Sequence, residues 1–110
     1  MTWRKYGNRK TEVDGILFHS RKEAERWVEL RMLENAGEIA GLQRQVPFTL
    51  IKGQRWSDGK KRRDTIYKAD FVYFENGMLT VEDVKGVRTE AYKLKKALMK
   101  DRFNIEIREV

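Results

Sequence analysis

Asp70, Asp83 and Lys85 are the residues whose types and spacing can do chemistry. They lie toward the two ends of residues 67–86, YKADFVYFENGMLTVEDVKG, a stretch that reads as a β-hairpin. Two runs rich in Val, Phe, Tyr and Thr flank Asn76-Gly77, the dipeptide favoured in a two-residue type I′ turn because both central residues need positive φ. That turn sets the register: Glu75 faces Met78, Phe74 faces Leu79, Val72 faces Val81, and Asp70 faces Asp83. Two carboxylates directly across a strand pair repel each other, and a cation between them would remove the penalty. Lys85, two residues beyond Asp83, projects from the same face, whereas Glu82 projects from the other. Oxygen ligands at the end of an otherwise apolar hairpin suit Mg²⁺ or Mn²⁺. The competing reading is a surface charge ladder, since Asp-x-Lys is a common triplet and Lys68 falls near Lys85 in the same register.

Composition bounds the classes of function. The chain has 110 residues, 40% of them apolar, with three Trp, four Tyr and five Phe. It is expected to form one domain over residues 1–110, with residues 1–12 as a basic tail. A formal charge of +7 and a pI near 9.8 fit a nucleic-acid binder, although ribosomal, membrane-surface and plainly soluble proteins share the trait. The chain has no cysteine, which excludes disulfides, cysteine-based zinc sites and a thiol nucleophile. His19 is the single histidine, which argues against histidine-pair zinc sites and two-histidine phosphodiesterases. No apolar run reaches membrane length and the N-terminus lacks a signal-peptide core, so the expectation is a cytoplasmic protein with no membrane partner.

The elements that must position the acids can be read in order. In the tail, Arg4, Lys5, Arg9 and Lys10 alternate with Trp3 and Tyr6, which suits a phosphate backbone with stacked bases as well as a solvated terminus. Asp14-Gly15 marks a short hairpin leading into a helix over residues 20–36. Ser20 and Glu23 form a capping box and Gly37 is the C′ glycine. Leu30, Trp27, Ala24, Val28 and Met32 make its apolar arc, with Glu23 at the edge of that arc, available to the site as well as to the cap. Residues 42–51 read as a strand that Pro47 confines to an edge or a bulge. Gln43 and Gln45 face away from its apolar side, either as exposed edge residues or as groups touching a substrate or a water. Residues 52–64 read as a loop whose run Lys60, Lys61, Arg62 and Arg63 is either solvated or a grip on phosphates near the site. Trp56 in that loop either stacks on a base or packs. A second helix over 89–101 turns Ala91, Leu94 and Leu98 inward and presents Lys93, Lys96 and Lys100 as a stripe that could track a phosphate backbone. A last strand over 104–110 can pair in parallel with the second hairpin strand.

This order of elements and acids resembles the PD-(D/E)XK nuclease superfamily. The segments DGILFHSRKEAERWVEL, YKADFVYFENG and VEDVKGVRTEAYKLKK are similar to a small phage-encoded branch related to Holliday-junction resolvase-like endonucleases. Ala69 stands where that superfamily often has Pro, and the second acid is Asp83 rather than Glu. The resemblance implies a restriction-endonuclease-like α-β-β-β-α-β core, an α/β fold with a central mixed sheet flanked by helices. It also implies a metal-dependent endonuclease acting in a bacterial host. Asp70, Asp83 and the Val84 carbonyl would hold Mg²⁺ or Mn²⁺, with Glu23 completing the shell directly or through water. Lys85 would orient the attacking water or neutralise developing charge. DNA, branched or duplex, would be the partner and a homodimer the working unit, with Gln45, Lys60, Lys61, Arg62, Arg63, Lys93, Lys96, Lys100, Arg4 and Lys5 touching nucleic acid. A non-catalytic nucleic-acid-binding module on the same fold is the alternative, and a ribosome-associated or packaging protein a third.

Overall fold

Antiparallel pairing around Asn76-Gly77 builds the centre of the molecule. In the computed structural model, which describes residues 10–110, Asn76 and Gly77 both take positive φ (53° and 75°). They join strand β4 (Thr65–Glu75) to strand β5 (Met78–Asp83) in the register expected from the turn, from Glu75 opposite Met78 to Phe71 opposite Glu82. Two further strands complete a mixed sheet of order β3-β4-β5-β6. β3 (Ala40–Ile51) runs antiparallel along β4, and β6 (Arg108–Glu109) runs parallel to β5. A separate hairpin of β1 (Thr11–Val13) and β2 (Ile16–Phe18) turns at Asp14-Gly15 and leads into helix α1 (Arg21–Asn35). Helix α2 (Glu90–Phe103) connects β5 to β6. The result is an α/β architecture with a helix packed on each face of the sheet.

Local chemistry explains the helix ends. The Ser20 hydroxyl accepts from the Glu23 N–H, and the Thr89 hydroxyl accepts from the Tyr92 N–H, so each N-cap satisfies one backbone donor. Asn104 closes α2 in the left-handed conformation, with φ of 56°. That cap ends the helix two residues later than expected and takes Asn104 out of the final strand. Residues 105–107 carry no strand pairing, and Ile105 and Ile107 pack on the core instead.

Both helices are rotated relative to their apolar periodicity, and in each case a polar anchor decides. On α1, Ala24 and Leu30 are buried and Trp27 packs partly, but Val28 and Met32 are exposed. Arg26 is drawn under the helix instead, because its guanidinium forks onto the fully buried Glu82 of β5 at 2.8 and 2.6 Å. Glu82 also accepts from the Tyr73 hydroxyl and lies 3.9 Å from Arg108. On α2, Tyr92 and Met99 are buried whereas Ala91 and Leu94 are exposed. Tyr92 is held by Glu109, to which its hydroxyl donates at 2.7 Å, and by the rim of the Tyr67 ring.

The loop between β3 and β4 is also more ordered than its composition suggests. It forms a short two-stranded arm in which the Arg62 N–H donates to the Gln54 carbonyl and the Trp56 N–H to the Lys60 carbonyl. Lys68 pairs with Pro47 across β3–β4, and β4 and β5 are no longer paired beyond Phe71 and Glu82, so Lys68 and Lys85 form no ladder. Arg4 and Lys5 lie outside the described residues. Among the described residues, no helix is long and apolar enough to cross a membrane.

The Arg26–Glu82 pair should dominate the docking of α1. Arg26→Ala leaves a buried carboxylate without its principal cation, and urea unfolding should show a loss of about 3–5 kcal/mol. The double variant Arg26→Met, Glu82→Leu should regain much of that loss, because no charge is then stranded.

Candidate functional site

The site is made where the sheet stops alternating. In β3, Leu42 and Arg44 lie on the α1 side, with Leu42 in that core and Arg44 over the Phe18 ring, while Val46, Phe48 and Leu50 lie in the core under α2. These residues share one parity, so the strand has changed face between Arg44 and Val46. β4 does the same: Tyr67 and Ala69 belong to the α2-side core, Phe71 and Tyr73 to the α1-side core. The residues at the change are Gln45 and Asp70. Gln45 takes φ of 54°, a conformation that costs a side-chain-bearing residue free energy and that persists where the surroundings impose it. Both flanking pairs, Arg44–Phe71 and Val46–Ala69, are in the ladder, whereas Gln45 and Asp70 are not.

Asp70 fills the resulting split. Its Oδ2 accepts from the Val84 N–H at 2.8 Å, a donor that the β4 backbone has left behind. On the other side of the same segment, Lys85 N–H donates to the Val110 carbonyl and Val110 N–H to the Asp83 carbonyl. Backbone groups alternate sides along a strand, so the Val84 carbonyl is directed toward Asp70 rather than toward β6.

Asp83 is buried beside it. One carboxylate oxygen accepts from the Tyr67 hydroxyl at 2.8 Å, and the other lies 3.1 Å from Lys85 Nζ. The Lys85 ammonium sits over the Tyr92 ring, 3.5 Å from its centre, and is therefore fixed from two directions. Glu23, buried in the first turn of α1, reaches the same place from the opposite element. The Gln45 amide donates to Glu23 at 3.2 Å and to Asp70 at 3.3 Å, so one –NH₂ group links the two carboxylates. A cleft of about 630 Å³ is lined by Glu23, Asp70, Asp83, Val84 and Lys85, and its rim carries His19, Arg21 and Lys22.

Electrostatics follow from this crowding. Burial pushes the Asp70 carboxyl up to about 7; proximity to Asp83 and Glu23 adds to the rise, and the Val84 N–H opposes it. The Tyr67 and Tyr92 hydroxyls are also pushed up, by burial and by the acids they donate to. Outside the cleft, Arg88, Tyr92 and Lys96 converge on Glu109 and lower its pKa to about 2, the Arg88 hydrogen bond contributing most.

The donor set fits a hard divalent cation in kind: two adjacent carboxylates and a carbonyl directed toward Asp70, with no sulfur ligand and with the one imidazole, His19, on the rim. Among the described residues, no three His, Asp or Glu side chains converge into a ready cage. Gln45 stands between Glu23 and Asp70, so Glu23 is one amide away from the acid pair.

The structure therefore gathers Glu23, Asp70, Asp83, Val84, Lys85 and Gln45, and it does not bring the basic segments into that cleft. Lys93, Lys96 and Lys100 line a separate groove with Glu106, and each has an acidic neighbour: Glu90, Glu109 and Glu106 respectively. Lys60, Lys61, Arg62 and Arg63 lie on the arm. Lys22, whose Nζ donates to the Lys85 carbonyl at 2.9 Å, was not singled out by spacing, although its place beside Glu23 pointed to it. Tyr67 was hidden because regular alternation puts it on the face opposite Asp70.

A family model described as "Protein of unknown function (DUF1064)" matches residues 3–109. The chain belongs to the DUF1064 family. No curated protein and no solved structure matches it. The DUF1064 match spans all the cleft residues, from Glu23 to Lys85.

The raised Asp70 pKa has a thermodynamic consequence. The folded state holds that proton more tightly than the unfolded chain, so stability is fullest below the ordinary carboxylate range and falls as pH rises from about 4 through 7. Asp70→Asn keeps an acceptor for the Val84 N–H and removes the charge. In EDTA at pH 8 the variant should melt higher than the parent by at least about 4 °C. At pH 4 the two should melt together.

Proposed function

We propose that this protein is a divalent-metal-dependent endonuclease that hydrolyses DNA phosphodiester bonds, with a preference for branched over plain duplex DNA. The observation that carries the reading is the convergence of Asp70, Asp83 and Lys85 at the split end of a strand pair, in a cleft that Glu23 enters from α1. A binding module gains nothing from opposed carboxylates where phosphates must approach. The element order α1-β3-β4-β5-α2-β6 supports membership of the PD-(D/E)XK superfamily and a restriction-endonuclease-like core.

In this reading Asp70, Asp83 and the Val84 carbonyl would hold Mg²⁺ or Mn²⁺. When bound, the cation supplies Lewis-acid stabilisation of charge on the phosphate and lowers the pKa of water in its shell. The protein's own groups do the rest. Lys85, pinned by Asp83 and the Tyr92 ring, points an ammonium at the place where negative charge develops. Gln45 fixes Glu23 and Asp70 relative to each other, from where Glu23 would complete the shell directly or through a water. Lys22 and Arg21 on the rim face an incoming phosphate backbone. A homodimer would place two such clefts on two strands.

Cleavage of a labelled four-way junction, a flap, a duplex and a single strand, with Mg²⁺ or Mn²⁺, tests the proposal. Asp70→Ala and Asp83→Ala should each lower cleavage by at least about a thousandfold, on the scale of losing charge stabilisation at a reacting phosphate. Both should leave DNA affinity within a few-fold of the parent. Full activity in either variant would contradict the assignment.

A further inference from the structure

Residues 52–64 project from the far end of the β3–β4 hairpin as an arm with a built backbone. Arg55 and Lys61 form an antiparallel bridge, and the Gly59 N–H donates to the Trp56 carbonyl to close the tip. At the base the two strands nearly touch: a Cβ on Gly53 would lie 2.2 Å from the Arg62 carbonyl oxygen, so only glycine fits there. The Gly53 N–H donates to the Asp64 carboxylate at 2.7 Å.

Among the described residues, no side-chain hydrogen bond, ion pair or ring contact joins residues 54–63 to the rest of the fold. Residues 54–64 are all exposed. Six cations stand against two acids, Asp58 and Asp64, and both acids are engaged within the arm. Among the described residues, the side chains of Lys60, Lys61 and Arg63 have no acidic partner, although the Lys60 backbone N–H donates to Asp58. Trp56 is 56% exposed, with the Arg62 guanidinium over its ring at 5.0 Å. An indole backed by a stacked guanidinium, beside unpaired cations, matches the chemistry of an unstacked nucleobase next to its phosphates.

We propose that the arm is a second nucleic-acid-binding element, separate from the cleft. Lys60, Lys61 and Arg63 hold phosphates, and Trp56, backed by Arg62, stacks on an unpaired base, so the arm supplies the preference for branched DNA. The inference rests on the endonuclease reading in taking DNA as the ligand and branched DNA as its preferred form.

The test is binding of the full chain in EDTA to a labelled fork, a duplex and a single strand, across a series of salt concentrations. Trp56→Ala should weaken fork and single-strand binding about 5- to 100-fold and duplex binding by less than about 2-fold. The triple variant Lys60→Ala, Lys61→Ala, Arg63→Ala should weaken all three and reduce the salt slope by about 2 on the single strand and about 3 on the duplex. Unchanged melting temperatures would show that the arm variants fold. Cleavage is assayed in parallel. Metal-dependent cutting with both arm variants binding like the parent overturns the arm and leaves the endonuclease standing. Arm-dependent binding with no cutting under either metal supports the arm and overturns the endonuclease. Equal loss on duplex and fork for Trp56→Ala overturns the base-stacking role.

Discussion

The parting of β4 from β5 beyond Phe71 and Glu82 is the constraint on which the site depends. A regular hairpin continuing to Asp70 and Asp83 would hold both carboxylates side by side on the face under α2, with their backbones paired. Instead both β3 and β4 change face at Gln45 and Asp70. The change frees the Val84 N–H for the Asp70 carboxylate, brings the Tyr67 hydroxyl to Asp83, and leaves the Gln45 amide between Glu23 and Asp70. One irregularity therefore assembles groups from four elements.

Neighbouring acids on β5 show how environment separates structure from chemistry. Glu82 is fully buried and is saturated by Arg26 and the Tyr73 hydroxyl, with Arg108 close by. Its role is to lock α1 onto the sheet. Asp83, one residue on, faces the cleft with a lysine and a phenol, next to a second carboxylate that burial pushes toward neutrality. Negative charge that the fold leaves uncompensated is concentrated in the cleft, where a bound cation would relieve it. The arm holds the opposite imbalance, with cations in excess and no acids left to meet them.

Much of this was legible in the residue order. Asn76-Gly77 determined the hairpin register as far as Phe71 and Glu82, Ser20 and Thr89 marked the helix starts, and Pro47 placed β3 at an edge; Asp70 and the Asp-x-Lys triplet do line one cleft, but not as the directly opposed pair that the register implied. Helix phases were not legible, because apolar periodicity gives Val28, Met32 and Leu94 equal weight with the polar anchors that in fact orient the helices. Arg26 toward Glu82 and Tyr92 toward Glu109 are contacts across long stretches of chain, and no local pattern announces them. Gln45 was named on the strength of its side of the strand, yet its part in the site comes from a left-handed backbone that a period of two cannot foresee. The arm was hidden by its composition: Gly, Ser, Asp and a basic run describe a loop equally well, and only the close approach at Gly53 reveals a paired strand.

The proposed chemistry requires that Asp70 and Asp83 form one cation site. Titration of Mn²⁺ into the protein at pH 8, followed by electron paramagnetic resonance of free Mn²⁺, measures this without any assumption about substrate. Saturable binding that is lost in Asp83→Ala and weakened at least tenfold in Asp70→Asn is the predicted result. Absence of saturable binding, or binding that neither substitution alters, would contradict it.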